Sequence, residues 1–328
     1  MRLLVGAASF RTHYAPIFCP ADRLSGAMMV RILTVLLIAA TAFRPAAAKE
    51  SAPLPPAPAL WKVSDADSEI YLFAAAPFLP AGEAWRSRAV AAAIDHAQSI
   101  VFEAPAADPA AQAAATRLFD RVGRTSGGMT LSGSLGEEEA AGLAAVAAAL
   151  DAETAQFDAL KPWAAFVVLS AELDRKRGAD PAAGVEMGVL KEAIGRQRPV
   201  RFLDTVEGAL RVLTDMPEAD QRALLSFLLA DWPRQDETSA AAFAAWRAGD
   251  AEAVAVKAQE PLRMAAPGAY DRLIAARADF LADRIAVLLQ SPEAAFVCLG
   301  ASLVVGADGV AAGLEERGFD VERIDARP

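Results

Sequence analysis

Short apolar runs near both ends of the chain flank a long middle section whose hydrophobic positions are spaced as in helices. The short runs are rich in β-branched and aromatic residues and predict strands. They comprise residues 60–63, 69–73, 98–102, 199–203, 295–299 and 319–324. The patterns of residues 109–161, which are rich in alanine, and 204–259 predict helices. We therefore expect an α/β fold, with a mixed central sheet flanked by helices and a helical insertion or cap in the middle of the chain.

Turn-forming and capping residues predict where several of these elements begin and end. Residues 64–68 have turn chemistry between two apolar runs, which predicts a β-hairpin. Ser134 with Glu137 has the pattern of a capping box that opens a helix, and Asp180 before a proline predicts the start of another. Residues 269–290 are predicted to form one long helix that leads into the strand at 295–299.

Two of the predicted strands end in the same kind of loop. Residues 69–80 read EIYLFAAAPFLP, so an apolar strand is followed by three alanines and a proline. Residues 295–302 read AFVCLGAS, so the second strand also ends in small residues. Small residues at the carboxyl end of a strand let other groups approach the place where open α/β sheets build their sites. The two loops are therefore the candidate functional region.

These two stretches and their flanks resemble the TraB/GumN family, which also includes the Tiki proteases. In that family the first stretch reads YLFGTxHxLP, and the second is an apolar strand followed by GxxH and then GxDGV. The flanks YLF, FLP and VVGADGV match this pattern, and the resemblance extends from Ala59 to Arg323. The chain departs from the family pattern at the positions that carry the chemistry. Ala74 replaces a glycine, and Pro77 and Ser302 replace the two histidines.

The resemblance implies a metal-dependent peptidase site that this chain has lost. In the family the two histidines are thought to act with acidic residues, and imidazole is a natural ligand for zinc or manganese. Proline has no ligating atom, and the hydroxyl of Ser302 is at best a weak neutral donor. The remaining histidine after the signal segment, His96, matches no ligand motif. We therefore expect no metal ligands and no cofactor.

The resemblance also implies that part of the family's pocket survives. Glu103 stands at a strand end where the family has an acid, and Glu186 stands in its Gly-x-acid helix motif. Arg277 matches the arginine of a family helix motif resembling ERN, whereas Ala276 replaces its glutamate. Arg277 beside two carboxylates could form an ion pair that closes an inactive pocket, or could clamp a carboxylate or phosphate. A structural cap or a solvated edge is the alternative for each acid.

Three functions are compatible with these residues. The first is a binding or regulatory pseudoenzyme whose partner is an unknown protein, including an active paralogue, or a small molecule. The second is a hydrolase with a rebuilt site that uses Glu103, Glu186, Arg277 and Ser302. A purely structural envelope protein is the third.

Composition narrows the class of partner. The formal net charge is −10, which argues against nucleic acid, because binding phosphates needs a basic face. Hydrophobic residues make up 54% of the chain, which is enough for a sizeable core. Cys298 lies in an apolar strand and is predicted to be a buried hydrophobe rather than a nucleophile.

The segment that begins at Met29 has the three parts of a secretory signal. It has a basic start, a short apolar stretch (ILTVLLIAATAF) and an Ala-x-Ala cleavage pattern before Lys49. We therefore predict that residues 1–48 are upstream residues plus a signal peptide, with translation starting at Met28 or Met29, and that the protein is periplasmic or secreted. An uncleaved amino-terminal anchor is the alternative.

The rest of the chain divides into two predicted parts. Residues 49–58 are a proline-rich linker, and residues 59–328 form a single TraB/GumN-like domain. No transmembrane segment is predicted to remain after cleavage of the signal.

Overall fold

The computed structural model describes residues 56–79 and 82–325 of the chain. The predicted signal segment and residues 49–55 of the predicted linker lie outside the described residues, so those predictions stay untested. In the described part of the chain, six strands form one sheet. They are β1 (Leu60–Ser64), β2 (Glu69–Ala75), β3 (Ser99–Phe102), β4 (Val200–Phe202), β5 (Ala295–Gly300) and β6 (Asp320–Ile324).

The sheet is mixed, and its strands run in the order β4-β3-β5-β2-β1-β6. Strand β1 pairs antiparallel with both β2 and β6, so the predicted hairpin is confirmed. Strands β2, β5, β3 and β4 run parallel to one another. Their carboxyl ends therefore meet at one edge of the sheet, which we call the carboxyl edge.

Helices account for most of the remaining described residues. The longer ones are α1 (Arg88–His96), α2 (Pro109–Val122), α4 (Glu137–Ala149), α5 (Pro162–Lys176), α6 (Val185–Gly195), α7 (Val206–Thr214), α8 (Glu218–Asp231), α9 (Gln235–Ala248), α10 (Ala251–Ala258) and α13 (Ala276–Leu288). The short ones are α3 (Leu131–Ser134), α11 (Glu260–Ala265), α12 (Pro267–Tyr270), α14 (Ala301–Val304) and α15 (Val310–Glu316). The predicted α/β fold with a mixed sheet and a helical middle is confirmed.

The helical middle has its own apolar centre in α5. This helix is buried along most of its length because its sequence is apolar on nearly every side, and it starts with Pro162 at its first position. The ring of Trp163 meets that of Phe119 on α2 edge to face at 5.2 Å. Among the described residues, no helix is long and apolar enough to cross a membrane.

Two predicted helix starts are wrong in detail. Helix α4 is capped at Gly136, whose N–H donates to Glu139 Oε2 at 2.9 Å, and not by Ser134. Ser134 ends the preceding short helix, so its hydroxyl donates back to Leu131 O instead. Asp180 caps only a 3-10 turn, and α6 begins five residues later after Gly184.

The predicted long helix over residues 269–290 is also interrupted. Between α12 and α13 the chain makes a π-helical turn, Asp271–Ala275, before α-helical geometry resumes at Ala276. The turn directly precedes Arg277, and π turns often occur beside functional positions. The sequence has no proline or glycine here that could have signalled the change.

Candidate functional site

The two loops singled out in the sequence lie side by side at the carboxyl edge. Strands β2 and β5 are parallel neighbours, with Ala75 opposite Gly300. Pro77 follows β2, Ser302 follows β5, and both line one cavity of about 40 Å³. The two positions that hold histidine in the TraB/GumN pattern therefore face a common space.

Helices α9 and α10 cover this cavity. Phe243 and Trp246 on α9 and Val254 on α10 contribute its larger side chains. The indole N–H of Trp246 donates to the carbonyl oxygen of Ala74 at 2.8 Å. Ala74 itself is fully buried and its N–H donates to Ala59 O at 3.0 Å, so its backbone groups are both satisfied. This hydrogen bond ties the helical layer to the end of β2.

A buried glutamine fixes the loop that carries Ser302. The side-chain amide of Gln259 donates to the carbonyl oxygens of Ser302 and Val305 at 2.7 and 2.9 Å. These acceptors belong to the end of the short helix α14, where carbonyl groups lack intrahelical partners. Gln259 therefore holds the backbone of Ser302 in place, although no pattern in the sequence indicates this role.

A buried ion cluster lies at the same edge, beyond β5. Arg277 Nε and Nη2 donate to Glu103 Oε1 at 2.9 and 2.7 Å, and Nη1 donates to Asp204 Oδ2 at 2.7 Å. The side chains of Arg277 and Glu103 are 7% and 6% exposed, and that of Asp204 is 14% exposed. The guanidinium also lies 5.1 Å from the ring centre of Phe280. This arrangement joins β3, the segment after β4, and α13.

The backbone supports the cluster as well as the side chains. Asp204 N–H donates to the carbonyl oxygen of Glu103 at 2.8 Å, so the two acids are held next to each other. Burial raises the pKa of Glu103 above its ordinary value, while the charge and hydrogen bonds of Arg277 act in the opposite direction. Three of the five guanidinium N–H groups are thus engaged by the two acids. Glu103 Oε2 is buried and has no hydrogen-bond partner among the described residues.

Glu186 lies near this cluster but takes no part in the ion pair. It is in the first turn of α6, whose Val185 N–H donates to Ala76 O at 3.1 Å and so anchors the helix start to the loop after β2. The residue as a whole keeps some exposed surface, but its Oε1 is buried and has no hydrogen-bond partner in the described part of the chain. Burial, with a contribution from the charge of Glu103, raises its pKa to about 8. Both effects favour the protonated form of Glu186.

The predicted site residues fall into separate places. Pro77 and Ser302 share the cavity, whereas Glu103 and Arg277 form the ion cluster and none of the acids lines the cavity. Ala276 is exposed at the start of α13. Asp204, which follows β4, is the second partner of Arg277.

The residues present do not fit the metal that the resemblance implies. In the described part of the chain, no group of three histidines, cysteines or acids is arranged to hold a metal ion. His96 lies on the surface, where its Nε2 is 2.6 Å from Glu69 Oε1. Cys298 is buried in β5, and burial followed by the charge of Glu186 raises its pKa well above the ordinary value. Its thiolate, the ligating form, is therefore disfavoured.

The sheet order, the paired strand-end loops and the buried arginine–carboxylate cluster define an α/β protein whose candidate site lies at the carboxyl edge of a mixed sheet. The sequence profile of the TraB/PrgY/gumN family matches residues 59–323, and the chain belongs to that family. The family resemblance seen in the sequence is confirmed. No curated protein and no solved structure matches the chain.

Proposed function

We propose that this chain is a binding or regulatory member of the TraB/PrgY/gumN family that lacks metal-dependent peptidase activity. The observation that carries the proposal is the chemistry of the shared cavity. At the two positions where the family pattern has histidine, Pro77 offers no ligating atom and Ser302 offers one hydroxyl. The partner is an unknown protein, including an active paralogue, or a small molecule.

The ion cluster supports a binding role over a catalytic one. Arg277 already donates three hydrogen bonds to Glu103 and Asp204, so three of its five N–H groups are not available to clamp a substrate carboxylate or phosphate. Breaking a buried pair of this kind leaves an uncompensated charge and costs about 3–5 kcal/mol. Removing one partner of this cluster is therefore expected to destabilise the carboxyl edge.

Metal analysis of the purified mature protein tests the proposal. We expect less than stoichiometric zinc and manganese, and no loss of thermal stability on treatment with a chelator. A family member that keeps both histidines, purified in the same way, is the positive control. Stoichiometric metal that stabilises this protein and is removed by the chelator would contradict the proposal.

A rebuilt hydrolase site is the second candidate, and one observation favours it. The raised pKa of Glu186, about 8, is of the kind that a general acid needs near neutral pH. In this reading Glu103, Glu186, Arg277 and Ser302 would act together, although Ser302 lines a cavity that none of the other three reaches. Hydrolysis of peptide or ester substrates that is lost in both Ser302→Ala and Glu186→Gln would support this candidate over binding.

We also propose that the protein is exported to the periplasm or secreted. The support is the signal-like pattern that begins at Met29 and ends before Lys49. Amino-terminal sequencing of the exported protein should begin at or near Lys49. Recovery of the protein from the cytoplasm with Met1 or Met29 still attached would refute export.

A further inference from the structure

The cavity shared by Pro77 and Ser302 is lined almost entirely by apolar residues. Among the described residues of the lining, Ser302 has the one side-chain hydroxyl and none is charged. The indole N–H of Trp246 is already donated to Ala74 O, so it is not offered to a ligand. The cavity therefore presents apolar contact surface and a single hydroxyl.

The lining runs from the surface into the interior. Pro77, Ala258 and Ala301 keep part of their surface exposed, whereas Ala75 and Ala242 are buried. A ligand can therefore enter between the strand-end loops and α10 and reach the buried alanines below.

The surrounding structure keeps the cavity from collapsing. Alanine side chains leave space that larger residues would fill, and the ring of Pro77 fixes the backbone φ of the loop. The hydrogen bond from Trp246 to Ala74 holds α9 at a set distance from β2. Atoms that line an unfilled void lack dispersion contacts on one side, so an apolar group of the right size is stabilised there.

The volume limits the size of that group. The cavity measures about 40 Å³. An engineered apolar cavity of about 150 Å³ binds benzene or xenon, so a space roughly a quarter as large accommodates an alkyl group of about one or two carbons. A charged group is disfavoured, because the lining contains no opposite charge to offset the loss of its hydration.

We propose that this cavity binds the alkyl end of a short, uncharged aliphatic molecule, with the Ser302 hydroxyl as the hydrogen-bonding partner of its polar end. This inference rests on the proposed function, since it assigns a ligand class to a site that binds rather than cleaves. The Trp246 indole is the natural reporter, because Trp246 lines the cavity and its N–H donates to Ala74 O.

The test is a titration of the full mature protein with methanol, ethanol, 1-propanol and 1-butanol, followed through the indole N–H resonance of Trp246 in ¹H–¹⁵N spectra. The resonance is assigned by its loss in Trp246→Phe. We expect saturable shifts whose affinity rises about fourfold for each added methylene until the cavity is full. Propionate and propylammonium, which have a charged end, should give no saturable shift.

Two variants of α9 provide a matched pair. Ala242 lines the cavity, whereas Ala244 is exposed on the same helix, so both substitutions add the same two methyl groups in different surroundings. Ala242→Val should weaken 1-propanol binding by about tenfold or more, and Ala244→Val should leave it within about twofold. If Ala242→Val does not fold, Ala258→Val at the partly exposed end of the cavity takes its place.

Three results would overturn the inference. The first is the lack of a saturable shift of the indole resonance with any alcohol. The second is equal binding of 1-propanol to Ala242→Val and Ala244→Val, and the third is binding of propionate as strong as that of 1-propanol. None of these results alters the metal content of the protein. A failure here is therefore distinguishable from a failure of the proposed function.

Discussion

Replacing Glu186 with glutamine should change how the stability of the protein depends on pH. Glu186 Oε1 is buried and has no hydrogen-bond partner among the residues that the structure describes, and burial and the charge of Glu103 raise the pKa of Glu186 from 4.5 to about 8. Glutamine has nearly the same shape as the protonated acid and cannot ionise. The comparison therefore isolates the free energy of ionising this one buried carboxyl.

The sign follows from proton binding. Between pH 4.5 and 8 the unfolded chain releases the Glu186 proton while the folded protein keeps it, so the free energy of unfolding falls as pH rises. The slope approaches about 1.4 kcal/mol for each pH unit, and the accumulated loss reaches about 4 kcal/mol by pH 8. Below pH 4.5 both states are protonated and the group contributes nothing.

Urea unfolding followed by tryptophan fluorescence at pH 5, 6, 7 and 8 measures this effect. The free energy of unfolding of Glu186→Gln minus that of the wild type should increase steadily across the series. Glu138→Gln is the control, since Glu138 is also in the first turn of a helix but is exposed. Parallel pH profiles for wild type and Glu186→Gln would refute the argument that Glu186 is held neutral by burial.

Two further predictions concern the carboxyl edge. Arg277→Met should lower the free energy of unfolding by about 3–5 kcal/mol, because it leaves the Glu103 and Asp204 carboxylates unpaired. Adding Glu103→Gln should restore part of this loss. A double-mutant cycle measured by urea unfolding tests both expectations. Changing Pro77 and Ser302 together to histidine should create a zinc site. Its affinity should be weak, because Arg277 already occupies the nearest acid. Calorimetry that finds no more zinc binding than in the parent protein would contradict the adjacency of the two positions.

The sheet was largely predictable because its strands have local signatures. Residues 69–73 and 295–299 are β-branched, aromatic or otherwise apolar, and a turn of five polar or small residues separates the first two strands. Helix boundaries were less predictable, because several residues in one stretch can serve as a cap. Ser134 and Gly136 both precede the acidic start of α4, and the structure uses Gly136.

The site was only partly predictable because its contacts join distant parts of the chain. The small residues after β2 and β5 indicated the carboxyl edge correctly. However, Arg277 is 174 positions from Glu103, and Trp246 is 172 positions from Ala74. Nothing local in the sequence shows which of several acids a buried arginine will meet, or which helix will cover a strand end.

The π-helical turn before Arg277 has a consequence for how related chains can differ in length. A turn with i to i+5 hydrogen bonds contains one residue more than an α-helical turn. The contacts on either side are fixed, because the Tyr270 hydroxyl donates to Asp308 at 2.7 Å and Arg277 donates to Glu103. Loss of one residue from Asp271–Ala275 can therefore be absorbed by a return to α-helical geometry, with both anchors kept in place. The number of residues between Tyr270 and Arg277 can therefore vary by one, and relatives one residue shorter here can keep the same buried cluster.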